Sequence, residues 1–258
     1  MFGFAFKKAF FDLWDHLFFA LAVNLVFTLT ILGLASLSFL ASGLGLAGLL
    51  LFVPIPLLVG AILGGVATFW AKDIAVLGTA RFADFPAHFL ASWRPSLVFG
   101  VAWLVLGIGF LFGIPFYTAL NAIAGFIFGV IMAWLLFFCA GMSLYYPGLN
   151  AQVEPKIAKL AKKSFLVFLA NPWASLVMVV VLLLSLVLSV FTLGFFPGIV
   201  GISIWLQVCF KFILAKYDWI EANPEGNPKK VPWAELLAED MEKVGPRSLK
   251  GMIFPWKD

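Results

Sequence analysis

The sequence predicts an all-α fold: a polytopic bundle of membrane helices, with six spans arranged as three hairpins and joined to short interfacial helices. Two observations carry this expectation. The 258 residues are 63% hydrophobic and 12% charged, with a mean hydropathy of +1.06, whereas a soluble domain is about half apolar and roughly a quarter charged. Such a chain has more apolar surface than a core of its own can hide. The charges also cluster, leaving charge-free runs at 17–71, 95–153 and 164–210. One crossing needs about 20 apolar residues to pass roughly 30 Å of hydrocarbon, so each run holds two.

Taken in order, the N-terminal segment reads as an amphipathic helix. Phe2, Phe6, Phe10, Leu13 and Trp14 share one side, and Lys7, Lys8, Asp12 and Asp15 the other. Asp12 and Asp15 precede an apolar run far longer than the core of a secretory signal, so this segment is expected to remain as the first anchor. Spans are expected near 17–41, 48–71, 96–114, 121–146, 173–193 and 196–216. Glycine, proline and polar aromatic residues mark the breaks, as in tight turns at a membrane surface. Between the second and third spans, Lys72 to Arg94 is mixed in character and interrupted by Pro86.

Between the fourth and fifth spans, Pro155 suits a first helical position. Lys156, Lys159, Lys162 and Lys163 then cover one arc opposite Ile157, Leu160 and Ala161. A basic arc beside a bilayer anchors to anionic lipid at about 1 kcal/mol per lysine. The chain thus divides into a membrane domain, 1–216, and a polar tail, 217–258. In the tail, Asn223 to Pro228 reads as turns, and Pro232 to Lys243 as one short helix with Leu236, Leu237 and Met241 on one side. Gly245 and Pro246 are its stop. The last residues include Met252, Ile253, Phe254 and Trp256, side chains scarce in disordered segments. Phe254 and Trp256 are therefore expected to dock on the chain itself or on a partner.

Orientation follows from the positive charges. Lysine and arginine number 2 before the first span, 3 between the second and third, 4 between the fourth and fifth, and 8 after Phe210. The opposite turns carry none. Because these residues accumulate on the cytoplasmic side, the expectation is a multi-pass protein of the cell membrane with both termini inside. The basic pI of about 9.1 is explained by these lysines and needs no nucleic acid.

An internal similarity relates Phe89 to Val98, FLASWRPSLV, to Phe168 to Val177, FLANPWASLV, identical at six of ten positions. Each copy ends a charged segment and opens a span. Duplication explains this; chance matching among Leu, Phe and Val explains it too.

No predicted span contains Asp, Glu, Lys, Arg or His away from its ends, which argues against proton-coupled transport. The polar residues inside the spans are Asn24, Thr28, Thr30, Asn121, Ser185, Ser189, Thr192, Ser203 and Gln207. Hydrogen bonds between helices account for them, and Asn24, Asn121 and Gln207 are the candidates for a polar membrane site. Glycine pairs at four-residue spacing, Gly60/Gly64, Gly109/Gly113 and Gly125/Gly129, permit close helix contact. Cys139 and Cys209 fall in spans and read as packing residues. For catalysis, only His88 near Asp84 and Arg94, and His16 beside Asp15, suggest an acid–base pair. There is no recognisable nucleophile, phosphate loop or metal-ligand spacing. No catalytic residue and no cofactor is expected.

The opening LWDHL, the span containing Asn24, the prolines before a glycine-rich second span and RFADFPAHFLASWRPSL resemble the YesL-like family of bacterial membrane proteins. LYYPGL at Leu144 to Leu149, the lysine-rich helix, FLANPWASL and the FFPG of Phe195 to Gly198 extend the resemblance over roughly residues 10–216. It implies an accessory role near a carbohydrate ABC importer as membrane-protein partner. The chain lacks the EAA-type coupling sequence of such a permease and carries an extended tail. The functional expectation is therefore a noncatalytic accessory or scaffold protein. The alternative is a transporter or channel for an uncharged or lipid-like solute.

Overall fold

The computed structural model describes residues 1–45, 48, 52–153, 156–225, 227 and 230–247. Among them there is no strand, and six helices are long and apolar enough to cross a membrane. Helix α1 is Phe2–Asp15 and α2 is Leu17–Ala41, separated by His16. Helix α3, Pro54–Lys72, runs into a π-helical turn, Asp73–Leu77, which ends at Gly78 in the left-handed region (φ 70°). After a 3₁₀ turn at Phe82–Asp84 come α4, Phe85–Ile108, a second π-helical turn, Gly109–Gly113, and α5, Ile114–Leu120. Then follow α6, Ala122–Ser143, α7, Tyr146–Gln152, α8, Ile157–Ala170, α9, Pro172–Phe191, and α10, Gly198–Ala222. In the tail are α11, Trp233–Leu236, and α12, Ala238–Val244.

Three local expectations change. Pro86 opens α4 rather than interrupting its segment, because a proline in the first turn gives up an N–H that has no helical partner anyway. The third crossing is therefore one helical path from Phe82 to Leu120, 39 residues long, starting well before residue 96. The basic helix begins at Ile157, with Lys156 extended before it; Pro155 lies outside the described residues. The single tail helix is two, broken at Leu237 (φ −106°, ψ 7°), a break that turns Leu237 into the core while leaving Met241 exposed.

The bundle is built around α10. Of its most apolar stretch 72% is buried, against 6% and 11% for the crossings Phe82–Leu120 and Ala122–Gln152. Val200, Ile204, Val208 and Phe212, one per turn, are all fully buried, and α1, α2, α3, α7 and α9 all touch α10. Its hydropathy and that of the α3 crossing, 1.9 and 1.7, are the lowest of the six. Helices screened from lipid by protein are the ones that can carry hydroxyls and amides.

The hairpins are not self-contained. Helix α3 packs more extensively on α4, and on α10, than on α2. Away from the hub, α5 and α6 form an arm packed chiefly on each other: a Cβ at Gly109, Gly113 or Gly125 would strike Met132, Phe128 or Thr118. Gly129, the other member of that last pair, faces open space.

Helix α1 departs most from its amphipathic reading. Its aromatic side is partly outward, with Phe6 and Trp14 exposed, whereas Lys8 on the polar side is 3% exposed. The reason is tertiary: α10 and the tail helix α12 cover the polar side with charges of their own.

Candidate functional site

The polar residues of the spans converge on a few places. Asn24 is buried against the turn between α9 and α10. Its Nδ2 donates to Phe195 O and Pro197 O at 2.9 Å each, and its Oδ1 accepts from Val200 N at 3.1 Å. Ser189 Oγ accepts from Gly198 N at 3.1 Å, and the Thr192 hydroxyl bonds both backbone groups of Phe196. Asn24 thus serves as a clamp in trans for the start of α10, supplying the acceptor that a first-turn N–H lacks. Both N–H groups and one lone pair of its amide are used within the chain.

Gln207 sits on α10 with its Nε2 3.4 Å from Thr68 O and its Oε1 bonded by Gln152 Nε2. Asn121 is not buried in a span. It is exposed in the turn between α5 and α6, where its Oδ1 accepts from Ile123 N at 2.8 Å and caps α6. The three residues expected as a polar membrane site therefore do not meet. Beside Gln207, a cavity of about 240 Å³ opens between α3, α4, α7 and α10, lined by Gly64, Thr68, Ser96, Tyr146, Asn150 and Ser203. No charged side chain lines it.

The adjacent tyrosines of LYYPGL reach one to each copy of the internal similarity. Tyr146 Oη donates to Pro95 O at 2.9 Å, and Tyr145 Oη lies 2.8 Å from Ser175 Oγ. Ser96 and Ser175, equivalent in the two copies, are both buried. The copies differ in backbone: the first lies within α4, while the second breaks at Asn171 between α8 and α9. Lys156 before α8 and Lys159 and Lys162 on it are exposed, Lys163 is half-buried and Leu160 is buried, so three of the four lysines of the basic arc face outward. Phe254 and Trp256 lie outside the described residues.

At the charged face, Lys8 Nζ lies 2.9 Å from Asp12 and 3.5 Å from Asp240, and Lys211 Nζ is 2.7 Å from the same Asp240 oxygen. Arg247 holds both oxygens of Asp15 at 2.9 Å and lies over the Phe11 ring. Helix α12 and Arg247 are therefore docked on α1 and α10 by paired charges. Burial pushes the Asp12 carboxyl above its ordinary range, although Lys8 opposes the shift.

A second cluster lies where α3 ends. Asp73, buried in the π-helical turn, has Lys72 Nζ 2.7 Å from Oδ1 and His88 Nε2 2.8 Å from Oδ2. Asp84 joins them, with one ligand atom of each residue within 4.8 Å of the others. The proximity of Asp84 to His88 is legible in the sequence, but Asp73 is not; only the packing of α3 on α4 brings it there. No family model, curated protein or solved structure matches this chain.

Proposed function

We propose that this protein is a noncatalytic accessory or scaffold subunit that binds another membrane protein through the arm formed by α5 and α6. The unequal burial carries this reading: one span is enclosed by its neighbours, while the most apolar stretches of the third and fourth crossings are only 6% and 11% buried. Phe112, Phe116 and Phe126 on that arm are 60%, 60% and 73% exposed, and aromatic residues are frequent anchors of interfaces. Among the described residues the amides of Asn24 and Gln207 are already engaged within the chain, which favours an architectural use of the polar spans. The resemblance to the YesL-like family supports a carbohydrate ABC importer as the partner, in a bacterial cell membrane.

Extraction in mild detergent tests this. A stoichiometric membrane partner is expected to copurify. The Phe112→Ala, Phe126→Ala double variant is expected to lower its recovery about tenfold, as loss of 1.4 kcal/mol would, with an unchanged melting temperature of the isolated chain. No partner, or recovery unaffected by the double variant, contradicts the reading.

The cavity favours a second reading, passage or binding of a small uncharged solute, since its wall is mainly apolar, with Phe99, Ile199 and Leu206, and carries only a few hydroxyls and one amide. Ser203→Phe, which fills it, is then expected to abolish solute flux in liposomes while leaving partner recovery intact. Unchanged flux rejects a route through this cavity.

Both readings assume that the charged face and both termini are cytoplasmic. In a chain without its two native cysteines, cysteines at Gly43 and Leu120 are expected to react with an impermeant reagent from outside, and those at Lys159 and Glu239 only after permeabilisation. Outside labelling of Glu239→Cys overturns the orientation.

A further inference from the structure

We propose that Asp73, Asp84 and His88 form a binding site for a divalent first-row transition-metal ion, of the class of Zn²⁺ or Mn²⁺. The three come from three successive elements: the π-helical turn that ends the α3 crossing, the 3₁₀ turn, and the first turns of α4. No motif spacing unites them, and only the return of the chain through Gly78 places them together.

Two independent observations point to a cation. One ligand atom from each residue lies within 4.8 Å of the others, a span that a single ion closes with small side-chain rotations. Beyond that, His88 Nε2 is shut off from solvent and makes no hydrogen bond, although Asp73 Oδ2 is only 2.8 Å away. The ring N–H direction misses that oxygen. Two ligands at 2.0–2.2 Å from one metal ion stand roughly 3.0 Å apart in adjacent octahedral positions and about 3.4 Å apart in tetrahedral ones, their lone pairs aimed at the ion rather than at each other; the 2.8 Å pair sits nearer the octahedral spacing of Mn²⁺ and opens slightly for Zn²⁺. The Asp73–His88 pair has that separation and lacks hydrogen-bond alignment.

The surroundings fit. Lys72 holds Asp73 Oδ1 at 2.7 Å, leaving Oδ2 for the ion and fixing the carboxylate plane, as supporting contacts do in metal sites. The rings of Phe69 and Trp70 lie 5.7 and 6.0 Å from that of His88 and restrict its rotation. Trp70 Nε1 donates to Arg81 O at 3.0 Å, tethering the connection that brings Asp84 in. One imidazole and two carboxylates form a mixed nitrogen and oxygen set, which suits Zn²⁺ or Mn²⁺ and leaves positions for water. An all-oxygen preference such as that of Ca²⁺ is not met. π-Helical turns are frequent at functional sites, and here the turn carries Asp73.

The test uses the full chain in detergent, stripped with EDTA and passed through gel filtration. Zn²⁺ and Mn²⁺ are titrated separately, with Ca²⁺ as the comparison, reading stoichiometry by elemental analysis and melting temperature by scanning. One Zn²⁺ or Mn²⁺ per chain and a raised melting temperature are expected, with affinity lowered about tenfold or more in both His88→Ala and Asp84→Asn. Asp84 is partly exposed and outside the core, so if His88→Ala fails to fold, Asp84→Asn alone decides. No binding of either ion, binding that survives Asp84→Asn undiminished, or equal binding of Ca²⁺ overturns the proposal and leaves the cluster as ion pairs only.

Discussion

Replacing Asn24 with leucine is expected to lower the stability of the solubilised chain by about 2–5 kcal/mol. The change removes three hydrogen bonds that join α2 to the α9–α10 turn, each worth roughly 0.6–1.7 kcal/mol between membrane helices. Pro197 O and Val200 N are buried by the chain, so once freed they have no solvent to turn to. Gly198→Ala is expected to damage the same joint from the other side. Gly198 has φ 59°, and a Cβ there would meet Asn24 Nδ2 at 2.2 Å, so left-handed strain and overpacking add. Thermal unfolding in mild detergent and hydrogen exchange of the turn amides measure both. A Tm unchanged in both variants would contradict the clamp, because among the described residues no other side chain bonds Val200 N.

Lys8→Met is expected to cost about 3–5 kcal/mol, the usual penalty for removing one partner of a buried ion pair. Lys8 is shared by Asp12 and Asp240, and all three side chains are at least 85% buried by their exposures of 4%, 15% and 6%. Methionine fills the volume but leaves two carboxylates facing each other with Lys211 as the remaining counter-charge at Asp240. The tail helix α12 should then come away from α1, so tryptic cleavage at Lys243 or Arg247 should accelerate as Tm falls. Asp12→Asn is expected to be much milder. Burial already raises the Asp12 carboxyl, so its folded form binds a proton more readily than the unfolded form. Its contribution to stability is then greatest below the ordinary carboxylate range and fades as pH rises through the raised value. Unfolding followed across that acidic window should show this dependence in the wild type and its loss in Asp12→Asn. Equal destabilisation by Asp12→Asn and Lys8→Met would refute the assignment of Lys8 as the shared counterion.

These two joints illustrate how differently parts of the chain could be read. Asn24 stood out as a polar residue in an apolar run, and so did Ser189 and Thr192. That Asn24 joins the other two at one turn was not legible, because its partners are backbone groups some 170 positions away in sequence, whereas those of Ser189 and Thr192 are local. The spacing puts Lys8 on the polar side of an amphipathic helix, and for an isolated helix the inference that this side meets water is sound. It fails here because Asp240 and Lys211, from the far end of the chain, supply the polar surroundings that water would otherwise give. Asn121 reads as the start of a span because nothing charged marks the outer turn; its cap on Ile123 N needs only the local backbone.

What the sequence determined by itself is the class of solvent each segment meets. Apolar runs of sufficient length must span and charges must stay at the ends, since the cost of a charge or an open backbone group in hydrocarbon overrides any local preference. Hence the six crossings, the outward basic arc of α8 and the helix stop at Gly245 follow from composition and spacing. Only the tertiary structure decided which span is central, which arm projects, and which charges meet. Leucine facing lipid and leucine facing another helix are nearly equivalent in free energy, so hydrophobicity carries little record of neighbours. The small excess of polar residues in α3 and α10 is the trace that burial left. The grouping of Asp73 with Asp84 and His88 left none, because it arises from the antiparallel packing of α3 on α4 across a single left-handed glycine.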